Sequence, residues 1–85
     1  MQPYTEEKKD NLKIRTFSSQ IPEEELKWHW DEENRLVKPI NEIDWMFQFD
    51  NELPFKIDRP IRIEAGVIHR VIRGTTDLVV SIEIF

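Results

Sequence analysis

Apolar and polar residues alternate with period two over most of this chain, in short runs separated by turn-forming residues. Leu12, Ile14 and Thr16 alternate with Lys13 and Arg15, which predicts a first strand. Ser18-Ser19-Gln20 interrupts it, and Pro22 followed by Glu23-Glu24-Glu25 predicts one helical turn near 22–26, with acids at the positive end of its dipole. Leu26, Trp28 and Trp30 then alternate with Glu25, Lys27, His29 and Asp31. A helix over 22–30 would instead stack Leu26 on Trp30, but strict alternation and two tryptophans favour a strand over 25–31. Further short strands are expected at 36–40, 45–49, 55–57, 61–65, 67–72 and 78–85, with turns at 31–34, 50–52, 58–60 and 74–77. Pro39 confines its strand to an edge or an end. Seven or eight such strands predict an all-β fold, a single small antiparallel barrel or sandwich.

Residues 5–11 (Thr5-Glu6-Glu7-Lys8-Lys9-Asp10-Asn11) have no apolar residue to bury, so residues 1–11 are expected to form a flexible or loosely packed arm. Eighty-five residues allow a single domain, 1–85. Twelve Lys and Arg against 17 Asp and Glu give a formal charge of −5. That balance argues against nucleic acid and anionic membrane surfaces as partners. No run approaches the roughly 18 apolar residues of a spanning helix, and the first residues have no secretory pattern. With no cysteine, disulfides, thiolate zinc sites and cysteine nucleophiles are excluded. A cytoplasmic location is the expectation.

The segment Ile61-Arg62-Ile63-Glu64-Ala65-Gly66-Val67-Ile68-His69 resembles the second signature of the cupin family, in which a histidine follows a turn glycine by three residues. His29-Trp30-Asp31 resembles the start of the first signature, with Asp31 at its second histidine and Arg35 near its glutamate. The resemblance spans residues 12–85. It implies a jelly-roll barrel with His29 and His69 on neighbouring inward-facing strands. Cupins host many unrelated activities, so it does not select a reaction.

His29, Asp31 and His69 are the candidate metal ligands. Two imidazoles and a carboxylate suit one divalent ion of Zn, Fe, Mn, Ni or Cu. A strand places His29 and Asp31 about 6.5–7 Å apart on one face, within reach of a common ion. The competing explanation has the histidines lining the barrel without metal, and Asp31 paired with Arg35. An inward Arg35 would oppose a divalent ion by charge, and beside two histidines it would also suit a small anionic ligand. Glu33 or Glu64 can complete a set of two histidines and one carboxylate.

Trp28, Trp30, Trp45, Phe47 and Phe49 are either a ligand-stacking wall or plain core. If His29 and Asp31 face inward, Trp28 and Trp30 face outward, an apolar surface that a homodimer would cover. The acid runs at 23–25 and 31–33 lack the spacing of a calcium loop. The expected function is therefore small-molecule binding in the barrel mouth, with or without a divalent metal. Its rivals are a protein-interaction module and a metal-dependent enzyme of oxygenase or isomerase type.

Overall fold

The computed structural model describes residues 3–85. Eight strands form two antiparallel sheets: β1 Thr5–Lys9, β2 Leu12–Phe17, β3 Arg35–Pro39, β4 Met46–Phe49, β5 Phe55–Lys56, β6 Ile61–Ile63, β7 His69–Ile72 and β8 Leu78–Ile84. The larger sheet runs β1-β2-β8-β3-β6 and the smaller runs β5-β4-β7. The result is an all-β jelly-roll-type fold, whose sheets face one another without a continuous hydrogen-bonded wall closing them into a cylinder. Among the described residues no helix is long and apolar enough to cross a membrane.

The core lies between the sheets. Val37, Ile61, Ile63, Leu78, Val80 and Ile82 come from the larger sheet, and Trp45 and Phe47 from the smaller one and its approach. Trp45 and Phe47 are therefore core residues. The Trp45 indole donates to the Thr76 carbonyl, so the buried ring keeps no unpaired N–H. Pro39 ends β3, with a β8 partner at Val80 and none on β6, so its missing N–H costs no ladder bond there.

Two expectations are corrected. The polar segment 5–9 is an edge strand rather than a loose arm (residues 1 and 2 lie outside the described residues). It folds back on β2 through the two-residue turn Asp10-Asn11, where Asp10 takes the left-handed conformation (φ 56°) that aspartate tolerates. Backbone pairing and the Glu6–Arg15 ion pair replace apolar burial as its anchor.

The segment 25–31 is not a strand. A 3-10 turn at Glu23–Glu25 matches the expected helical turn, but the chain beyond it is an irregular strap. It joins β7 by a single bridge, in which His29 and His69 exchange both main-chain bonds at 3.0 and 2.9 Å. Leu26 turns into the core, so it shares no face with the outward Trp28 and Trp30.

Candidate functional site

His29 and His69 meet because that bridge sets them directly opposite each other, with ring centroids 4.3 Å apart. Gly66 makes the approach possible. It adopts φ +83°, which a side chain would oppose, and its N–H donates to the Asp31 carbonyl at 2.9 Å. The strap is thereby tied to β7 at His29 and to the turn before β7 at Asp31.

Each imidazole is oriented by a main-chain carbonyl two residues before it. Nδ1 of His69 lies 2.8 Å from the Val67 carbonyl oxygen, and Nδ1 of His29 lies 3.1 Å from that of Lys27. A carbonyl only accepts, so Nδ1 carries the proton in both rings and Nε2 of a neutral ring is left with a bare lone pair. Phe47 stacks on His69 at 5.3 Å between centroids and fixes the ring plane. Burial, reinforced by the neighbouring His29, holds the His69 pKa below its ordinary value, against the Val67 carbonyl and Asp31, which raise it. His69 is therefore neutral near pH 7.

Nε2 of His69 faces Oδ2 of Asp31 at 3.4 Å. The other carboxylate oxygen, Oδ1, lies 3.4 Å from Nη1 of Arg35. Arg35 is buried, as an inward placement requires, but Glu33 engages it most closely, at 2.6 Å from Nη2 and 3.2 Å from Nε. This contact holds the Glu33 carboxyl below its usual range. One guanidinium is thus matched by two carboxylates, leaving a single negative charge at Asp31 and Glu33 combined. Glu64 lies apart, exposed, and 4.0 Å from Arg62.

Together, His29, Asp31 and His69 present one ligand atom each, all within 4.8 Å of one another. The group borders an interior cavity of about 360 Å³, which Arg35 also lines. The remaining wall is largely apolar, including Phe17, Val37, Phe47, Ile63, Val71 and Val80. Four sequence-selected residues, His29, Asp31, Arg35 and His69, therefore line one cavity. Sequence reasoning did not pick out two others: Glu33 as the counter-charge of Arg35, and Arg15, which lines the same cavity from β2. Among the tryptophans and phenylalanines weighed as a ligand wall, only Phe47 borders the cavity.

No family model matches the chain, and no curated protein matches it. Solved structures do. A cupin domain from Bordetella pertussis superposes with a TM-score of 0.64 at 20% identity, covering 96% of this chain and 91% of that one. A protein from Neisseria meningitidis gives 0.60 at 12% identity, covering 96% and 82%. A conserved protein of unknown function from Streptococcus pyogenes gives 0.58 at 16% identity, covering 91% and 66%. Identities this low speak to architecture alone. Its fold is similar to that of a small cupin domain.

Proposed function

We propose that this domain binds a small molecule in its interior cavity, beside a divalent metal ion held by His29, Asp31 and His69. The observation that carries the reading is the 3.4 Å approach of Nε2 of His69 to Oδ2 of Asp31. Two acceptor atoms facing each other repel unless a positive charge lies between them. Burial works against a proton on His69, which leaves a cation as the better occupant. Two atoms 3.4 Å apart can both lie at a ligand distance of about 2.1 Å from one point. His29, exposed at the mouth, supplies the third ligand atom, within 4.8 Å of the other two.

The donor set fits the ion. Two imidazole nitrogens and one carboxylate oxygen suit Zn, Fe, Mn, Ni or Cu, and three protein ligands leave positions open toward the cavity. A bound divalent ion supplies Lewis acidity to an oxygen atom of the ligand. The Val67 and Lys27 carbonyls set the tautomers, and Arg35 orients Asp31 through its far oxygen. Glu33 offsets the charge by which Arg35 alone would oppose a cation.

The reading includes a homodimer closed over the outward tryptophans. Trp30 is 57% exposed and Trp28 42%, and Arg70 covers one face of Trp28 at 4.4 Å. Pairing therefore turns on Trp30.

Chelator-treated protein titrated with Zn²⁺ and Ni²⁺ in a calorimeter tests the metal. One ion per chain is expected in the wild type, lost in Asp31→Asn and His69→Gln. A wild type that binds none of Mn²⁺, Fe²⁺, Ni²⁺, Cu²⁺ or Zn²⁺ would refute it.

A further inference from the structure

The strand β2 turns its charged residues inward. Lys13 lies opposite Ile82, Arg15 opposite Val80 and Phe17 opposite Leu78, and directly opposed residues share a face. All three β8 partners are buried. Leu12 and Ile14 therefore point out of the sandwich, and Phe17 alone of the apolar residues of this strand points in. An arginine on an inner face costs desolvation unless its charge is used.

Arg15 is held for use. Its Nε donates to Glu6, the residue opposite it on β1, and its guanidinium carbon sits 4.0 Å from the centroid of the Tyr4 ring. The side chain is only 11% exposed and lines the cavity that holds His29, Asp31 and His69. Yet Nη1 and Nη2 have no hydrogen-bond partner among the described residues. Glu6 and Tyr4 fix the plane of the fork and leave its terminal edge unclaimed, an arrangement suited to a two-point contact with a planar anion.

We propose that Arg15 is the anion anchor of the cavity and that the ligand is a small amphipathic monocarboxylate. Its carboxylate is received by the Nη atoms, and its apolar body packs against Phe17, Phe47 and Val80. A single negative charge is the match. Glu6 already offsets Arg15, and Glu25 and Asp31 line the same cavity, so a phosphate dianion would meet repulsion that a carboxylate largely escapes. This inference rests on the cavity being a ligand site, but not on the metal.

The test uses isovalerate, hexanoate and benzoate, each beside its uncharged amide, followed by nuclear magnetic resonance with ¹⁵N-labelled protein. At least one carboxylate should bind and shift the Arg15 Nε–H resonance, while its amide does not. Arg15→Gln should weaken that carboxylate about tenfold to a hundredfold, and Arg15→Lys less. The wild-type shift decides the matter even if Arg15→Gln fails to fold. No binding by any of the three acids at millimolar concentration overturns the proposal, as does an amide that binds equally well or a shift that bypasses Arg15. Repeating the titration in His69→Gln separates the two readings. Carboxylate binding retained there, with metal binding absent from the wild type, would sink the metal site and leave the anchor standing. Metal binding without carboxylate binding would do the reverse.

Discussion

Nε2 of His69 and Oδ2 of Asp31 face each other across 3.4 Å with no hydrogen-bond donor between them. The cause lies on the far side of each group. The Val67 carbonyl accepts a hydrogen bond from Nδ1–H of His69, and Arg35 engages Oδ1 of Asp31. Both partners are thus turned so that their unprotonated atoms converge. A histidine that merely filled space in the core would gain from donating to the aspartate. Here the donor edge is spent on the main chain.

The two histidines should behave differently when removed. His69 is buried and stacked on Phe47, whereas His29 is exposed. His69→Ala is expected to cost about 1–3 kcal/mol of stability in addition to the metal site. His29→Ala should leave the urea midpoint of metal-free protein within about 0.5 kcal/mol of wild type and weaken Zn²⁺ binding at least about tenfold. Unfolding curves and calorimetric titrations on both variants check this. Equal stability losses would mean that the difference in burial does not govern the pair.

Acid sensitivity should carry the signature of His69. Its pKa in the folded chain lies below the ordinary 6.5, chiefly through burial, so the unfolded chain takes up this proton more readily. Stability from this source is present in full above about pH 6.5 and is lost as pH falls from there toward the depressed native value. Glu6 and Glu33, held low by Arg15 and Arg35, act in a lower window, below their ordinary 4.5. Metal-free wild type should therefore lose stability between about pH 7 and pH 5.5, and His69→Gln should lose less. Urea midpoints measured across that interval decide it, and a flat wild-type profile would contradict the assignment.

The strands at 46–49, 61–63 and 78–84 were legible because each puts apolar residues on a buried face in alternation with more exposed ones. β1 was not, because backbone bonds and one ion pair hold it and neither leaves an apolar period. The strap at 25–31 misled for the converse reason. Its residues from Trp28 to Asp31 alternate in facing, yet only His29 finds a main-chain bridge on β7. For β2, alternation tells that Leu12 and Lys13 face opposite ways but not which one faces in. The register with β8 supplies that, and it is a long-range fact. That His29 and Asp31 share a face was legible from their spacing, and that His69 joins them followed only from the resemblance to the cupin signatures. That Glu33 would take most of Arg35 was not, since it depends on side-chain rotamers after the turn.

The turn at Gly74 has its own constraint. A Cβ there would lie 2.7 Å from Cδ1 of Trp45 and 2.9 Å from the Asp44 backbone carbon. It would also push against the Asp44 carboxylate, which accepts from the Thr75 N–H at 2.8 Å and from its hydroxyl at 2.7 Å. Gly74→Ala should cost about 1–3 kcal/mol, read from urea unfolding, because a buried ring and a capping carboxylate must both move. An unchanged midpoint would mean that the turn relaxes freely.

Trp30 offers the test of pairing. With Trp28 partly covered by Arg70, Trp30 is the larger apolar surface on the strap. Wild type should sediment as two copies at high micromolar concentration and Trp30→Glu as one, since a carboxylate in a closed apolar contact would be desolvated without a partner. A wild type that sediments as a single copy would remove the homodimer from the reading.

Arg35 joins stability to metal binding. Taken alone, its charge repels a divalent ion, which suggests that removing it strengthens the site. In the fold, however, Arg35 lies between Asp31 and Glu33 and is buried, so Arg35→Met leaves two carboxylates close together with no cation between them. Metal-free Arg35→Met should be destabilised by about 2 kcal/mol, less than a fully buried pair would lose because Glu33 remains partly exposed. A divalent ion at Asp31 would replace the missing positive charge. A ligand that binds only the folded state stabilises it in proportion to the logarithm of its concentration over Kd. Saturating Zn²⁺ should therefore raise the melting temperature of Arg35→Met by more than it raises that of wild type. Scanning calorimetry of both proteins, with and without Zn²⁺, reads the difference directly. An equal rise in the two would show that Arg35 and the metal do not share Asp31. A smaller rise in the variant would show that orienting the carboxylate outweighs the charge that Arg35 brings.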